Sequence, residues 1–160
     1  MIFVSVGMQM PFDRLCKTVD AWGGERGRKD IFMQIGSTSW RPSNCDYVQL
    51  LDPEQYAKRI KESEILVMHA GTGSILAAMK YEKPIIVMPR VARLRETRND
   101  HQLATVRRFK ELSGITVAFD EDDLVKKLDT LHTVAKPEAL SPSASKELIT
   151  ALRTFIHAAG

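Results

Sequence analysis

The sequence lacks several features that would each point to a function class. No apolar run approaches the roughly 18 residues of a membrane-spanning helix. The strand-like opening Met1–Gly7 also leaves no room for a charged and then apolar leader. A cytoplasmic chain is therefore expected. Cysteine is scarce: Cys16 and Cys45 form neither a CxxC pair nor a zinc-ligand spacing, so neither a metal site nor a disulfide is expected. The formal charge is only +3 over 160 residues, well short of the basic excess that nucleic-acid binding concentrates on one face. Repeats and low-complexity segments are missing as well. What remains is ordinary globular composition, 44% hydrophobic and 27% charged, in a length that suits one domain and not two complete enzyme domains.

Six short runs rich in β-branched residues read as strands: Ile2–Val6, Ile31–Ile35, Tyr47–Leu50, Ile65–Met68, Pro84–Met88 and Ile115–Ala118. Most are apolar throughout, the pattern of strands covered on both faces, which predicts a mostly parallel sheet. Between them Pro11–Trp22, Pro53–Glu62, Gly73–Tyr81, Asp100–Leu112 and Asp122–Leu131 read as helices. The expected fold is α/β and Rossmann-like, a mostly parallel sheet flanked by helices, over residues 1–135. Residues 136–160 read as a linker and a C-terminal amphipathic helix, Ser143–Ala158. Its Leu148, Ile149, Leu152, Phe155 and Ile156 share one stripe that packs either on this domain or on a partner. Ligands of such sheets bind beyond the carboxyl ends of the strands, so the strand-to-helix loops carry the candidate site.

The sharpest loop signal runs from Val67 to Leu76, where a buried strand passes through Gly71 and Gly73 directly into an apolar helix. Glycines let backbone approach an anion closely, and a helix N-terminus presents unpaired N–H groups with the positive end of the dipole. Phosphate or diphosphate is expected on Gly71, Thr72, Gly73 and Ser74, with His69 at the strand end within reach of a phosphate oxygen. A Walker A loop would need Gly-Lys-Ser/Thr, and the dinucleotide fingerprint a third glycine; Ala77 and Ala78 follow instead. Nicotinamide-dependent redox chemistry is correspondingly disfavoured.

Three segments in order, His69-Ala70-Gly71-Thr72-Gly73-Ser74-Ile75-Leu76, Lys83-Pro84-Ile85-Ile86-Val87-Met88-Pro89 and Asn99-Asp100-His101-Gln102, resemble the C-terminal donor-binding domain of the family 28 glycosyltransferases. Phe3-Val4-Ser5-Val6-Gly7 with Phe12-Asp13, and Gln34-Ile35-Gly36-Ser37, extend the likeness over about residues 1–118. In length and layout the chain is most similar to the small subunits of split, two-subunit members, of bacterial exopolysaccharide and eukaryotic lipid-linked chitobiose type.

The resemblance implies the C-terminal half of a GT-B glycosyltransferase that uses a UDP-sugar without cofactor or metal. It implies donor diphosphate on His69 and the Gly71–Ser74 amides, and transferred sugar near Asn99, Asp100, His101 and Gln102. Gly7, Met8, Gly36, Ser37 and Thr38 would line the cleft floor, and the uracil would lie near the loop after Leu50. It further implies a membrane-anchored partner that carries the acceptor site and holds the chain peripherally at the membrane. The acceptor would be a lipid-linked saccharide, and the general base would come from that partner. One position departs from the family pattern: Ala77 stands where an acidic residue commonly holds the ribose. That departure motivates an alternative, a nucleotide- or phosphate-binding module that is not catalytic.

Around the site, Arg90, Arg93, Arg95 and Arg98 make a cationic loop suited to a donor diphosphate, a lipid pyrophosphate or anionic headgroups. Arg90, directly after the strand end, is the expected diphosphate clamp, and Glu96 either pairs with one of these arginines or touches the sugar. Asp120-Glu121-Asp122 spells a metal-binding DxD but opens a helix, where an N-cap is expected. Phe12 and Asp13 read as a core anchor and a helix cap, and His132 and His157 as surface residues.

Overall fold

The computed structural model describes residues 1–8, 10–109 and 114–137, so the helix expected over Ser143–Ala158 lies outside the described residues. Each of the six apolar runs forms a strand: β1 Ile2–Ser5, β2 Ile31–Gln34, β3 Asp46–Val48, β4 Ile65–His69, β5 Ile85–Met88 and β6 Ile115–Val117. All neighbouring pairs are parallel, and the order across the sheet is β3-β2-β1-β4-β5-β6. The chain builds outward from β1 in one direction, then returns to β4 on its other side. That reversal opens a crevice between the loops after β1 and β4, where open α/β sheets bind their ligands.

Among the described residues five α-helices cover the sheet: α1 Asp13–Glu25, α2 Pro53–Glu62, α3 Thr72–Lys80, α4 His101–Phe109 and α5 Glu121–Asp129. Alternation along the strands sorts the core into two layers. Ile2, Val4, Met33, Val67 and Ile86 pack with Leu15, Val19, Leu124 and Leu128 of α1 and α5 on one face. Phe3, Leu66, Met68, Ile85 and Val87 pack with Ile60, Ile75, Met79 and Val106 of α2, α3 and α4 on the other. With both faces covered, the central strands β1, β4 and β5 are apolar along their length, with Ser5 and His69 only at the carboxyl ends of β1 and β4.

The starts of α2 and α5 follow local chemistry, whereas α1 does not: Asp13, expected as its cap, is the first helical residue, its N-cap is Phe12, and no side chain caps it. Asp52 accepts from the Gln55 N–H at 2.8 Å ahead of Pro53, and Asp120 accepts from the Asp123 N–H at 2.8 Å. The DxD-like triplet is thus a cap and an acidic first turn. Helix α1 departs from its expected span, continuing through Gly23 and Gly24 to Glu25. Gly23 is there for packing: a Cβ would stand 2.7 Å from the Ile31 side chain. No described helix is long and apolar enough to cross a membrane.

Candidate functional site

His69 ends β4, and its ring lies between two glycine-bearing loops. A Cβ on Gly7 would meet Nε2 at 2.7 Å, and one on Gly71 would meet Cε1 at 2.3 Å. Gly7 also adopts φ +76°, a left-handed backbone that side chains rarely tolerate. Both glycines therefore leave room for the imidazole at the point where the sheet order reverses.

Two cavities meet at this ring, sharing Gly7, Met8 and His69. The smaller, about 90 Å³, is completed by Val6, Met10, Arg90, Glu96, Thr97 and Gln102. The larger, about 380 Å³, is completed by Gln34, Leu51, Pro53, Tyr56, Gly73 and Ser74. Helix α3 opens onto the larger one. Its N-cap is Gly71, no side chain caps it, and its first turn holds no acidic residue, so its dipole and the Thr72 and Gly73 amides are available to an anion, while the Gly71 N–H donates to the His69 carbonyl at 2.9 Å and the Ser74 N–H to the Gly71 carbonyl at 3.0 Å.

Burial holds the ring neutral. Desolvation first, and then the positive charge of Arg90, pull the His69 pKa down from 6.5 to about 4. At neutral pH the ring is thus a hydrogen-bonding group without a charge. Gln102, in the first turn of α4, bonds it: the Gln102 amide nitrogen lies 3.3 Å from Nδ1, while Oε1 accepts from the Arg90 N–H at 3.1 Å.

The structure corrects the reading of Arg90. Its guanidinium is buried and donates to four backbone carbonyls, Pro11 at 2.5 Å, Glu96 at 3.1 Å, Val6 at 2.7 Å and Met10 at 2.6 Å. It also stacks 4.7 Å from the Phe12 ring centroid. Both terminal nitrogens brace the loop after β1 instead of reaching out to a diphosphate, although the charge still borders the smaller cavity. Strand-end position alone favoured this arginine; carbonyls converging from two loops took it up.

Glu96 is likewise reassigned. Though it lines the smaller cavity, its carboxylate is held by Arg14 of α1, at 2.6 Å and 2.9 Å, and not by a loop arginine, and it accepts from the Val91 N–H at 2.9 Å. Asn99 accepts from the His101 N–H at 3.3 Å, and Asp100 from the Ala92 N–H at 2.9 Å. Those side chains shape the turn around a 3₁₀ segment, Ala92–Leu94, that was expected as plain loop. His101 is exposed at the start of α4. Gly36, Ser37 and Thr38 line neither cavity: Gly36 backs the β1 loop, where a Cβ would lie 3.1 Å from Val6, and Thr38 caps its own turn through the Trp40 N–H at 3.1 Å. Of the expected floor, Gly7 and Met8 alone reach the cavities.

Several lining residues were not anticipated. Buried Gln34 donates to the Gly7 carbonyl at 3.3 Å and accepts from the Leu51 N–H at 3.1 Å, tying the loops on either side of the larger cavity. Its polarity inside an apolar strand was the available signal. Tyr56 and Leu51 pack in the same cluster as Ala77, and among the described residues that line the cavity none is a carboxylate.

Comparison with known proteins agrees with this architecture. The glycosyltransferase family 28 C-terminal domain matches residues 1–156. The UDP-N-acetylglucosamine transferase subunit ALG13 of Eremothecium gossypii is 35% identical over 101 residues, covering 61% of this chain and about half, 48%, of that relative. The NMR solution structure of ALG13 superposes with a TM-score of 0.63 at 18% identity, covering 94% of this chain and 93% of that one. The crystal structure of the glycotransferase of kitacinnamycin gives a TM-score of 0.62 at 18% identity, covering 99% of this chain but 40% of that one. At such identities these two likenesses carry the fold, the C-terminal half of a GT-B glycosyltransferase. With the family matched across residues 1–156, the chain belongs to glycosyltransferase family 28 as its C-terminal domain.

Proposed function

We propose that this chain is the donor-binding subunit of a glycosyltransferase that moves a sugar from a UDP-sugar to a lipid-linked acceptor with inversion and without metal. The observation that carries this reading is the uncapped N-terminus of α3 opening between Gly71 and Ser74 beside the neutral His69 ring. Departure of a nucleoside diphosphate builds negative charge, and preorganised N–H donors in an enclosed site stabilise it best. The amides of α3 and an imidazole N–H supply such donors, and the buried Arg90 adds positive potential without touching the anion. The larger cavity, with Tyr56, Leu51 and Pro53 on its walls, suits a flat uracil ring. The exposed His101 at the start of α4 remains available to the transferred sugar.

An inverting transfer also requires a base to take the acceptor proton. Among the described residues that line the two cavities, Glu96 is the one carboxylate, and it is held by Arg14. We therefore assign the base and the acceptor site to a membrane-anchored partner subunit that keeps this chain peripheral to the membrane. Calorimetric titration with UDP and UDP-sugars tests the donor half, and co-expression with such a subunit tests transfer. Robust turnover by the isolated chain would overturn the division of labour.

The absent ribose carboxylate favours one competing reading, a nucleotide- or phosphate-binding module without catalysis. Binding that does not distinguish UDP from its sugar conjugates, and that ignores His101→Ala, would favour that module.

A further inference from the structure

We infer that Gln102 acts on the bound anion through His69, as a positioning residue that fixes the imidazole in its Nε2–H tautomer. One group in this network has no freedom of role. The Arg90 backbone N–H can only donate, and it points at Gln102 Oε1 at 3.1 Å, so the amide oxygen must face Arg90. The amide nitrogen then faces His69 Nδ1 at 3.3 Å and donates to it. A reversed amide, which would accept from a protonated Nδ1, would set its NH₂ against the Arg90 N–H. With Nδ1 accepting, the proton of the neutral ring resides on Nε2.

Nε2 is the atom that faces Gly7, and the ring edge passes under Gly71 on its way there. Among the described residues nothing hydrogen-bonds Nε2, yet it is not among the buried atoms lacking a partner, so it keeps access to the cavities. The result is a neutral N–H donor aimed into the junction of the two cavities. The opposite tautomer would present a lone pair there, which repels a phosphate oxygen. This assigns Gln102 a role distinct from touching the transferred sugar. The anion in question rests on the donor-site reading; the tautomer does not.

Long-range ¹H–¹⁵N correlation spectra of the full chain labelled in histidine read the tautomer directly, without ligand. The expected wild-type result at neutral pH is an unprotonated Nδ1 and a protonated Nε2 for His69. In Gln102→Glu a carboxylate can only accept, so Nδ1 should gain a proton. In Gln102→Met, which keeps the side-chain length, the two tautomers should mix. UDP titrations of the same proteins should show a loss on the order of tenfold for both variants, the equivalent of one hydrogen bond. A wild-type His69 protonated on Nδ1 overturns the inference outright. A tautomer that shifts while UDP affinity stays unchanged overturns the link to the anion. An Nε2–H wild type that binds no UDP supports the tautomer control and retires the donor-site reading instead.

Discussion

Acidification should destabilise this fold through His69, by an amount that the geometry of its pocket sets. Enclosure between Gly7 and Gly71 and the nearby charge of Arg90 hold the native pKa at about 4, against 6.5 for the free side chain. Between these values the unfolded chain binds a proton that the native ring refuses. Stability is therefore undiminished above the unfolded value, falls as pH drops through 6.5, and levels off below about 4. The full gap corresponds to roughly 3 kcal/mol, of which about 2 kcal/mol is lost between about pH 7 and pH 5. Carboxylates titrate over part of the same range, so the measurement is a difference. Urea unfolding of wild type and His69→Asn at several pH values isolates the ring, because every other group is common to both. The stability gap between the two proteins should narrow, or reverse, by about 2 kcal/mol over that interval. A gap that stays constant would mean that the imidazole titrates alike in both states and is not held neutral.

Gly71→Ala would put a methyl 2.3 Å from the His69 ring and force it aside. It should cost about 1–3 kcal/mol of stability and at least about tenfold in UDP affinity by calorimetry. Arg90→Lys replaces a planar fork with one ammonium that cannot serve four carbonyls. A loss of about 2–4 kcal/mol in urea unfolding is expected, and wild-type stability would show that the guanidinium does not brace the β1 loop. Asp120→Ala removes the α5 cap and should cost about 1 kcal/mol while leaving UDP titrations unchanged; a loss of UDP affinity would restore a ligand-binding role for the triplet.

Much of the site was legible because its signal is local. Gly71 and Gly73 between an apolar strand and an apolar helix imply an open helix N-terminus whatever lies around them, and that terminus is where the larger cavity forms. His69 was legible for the same reason. Arg90 and Glu96 were misread because long charged side chains take whichever partner the packing brings near. Neighbouring sequence offered Glu96 four arginines, yet its partner is Arg14, 82 residues away. The helix expected over Pro11–Trp22 runs on through Gly23 and Gly24 to Glu25, because a glycine that permits a turn and one that permits close packing look alike in sequence.

Local sequence was enough for the alternation of strands and helices, the parallel character of the sheet and the open helix start after Gly71. Those properties depend on periodicity, burial on both faces and backbone freedom, all of which act over a few residues. Only the tertiary structure decided what stands opposite that helix start. The strand order brings the β1 and β4 ends together, and only then does Gly7 meet the His69 ring. Gln102 likewise reaches that ring from a helix 33 residues further along the chain. A tautomer, a buried guanidinium and an enclosed imidazole are products of such meetings, because hydrogen-bond partners and desolvation are set by neighbours in space.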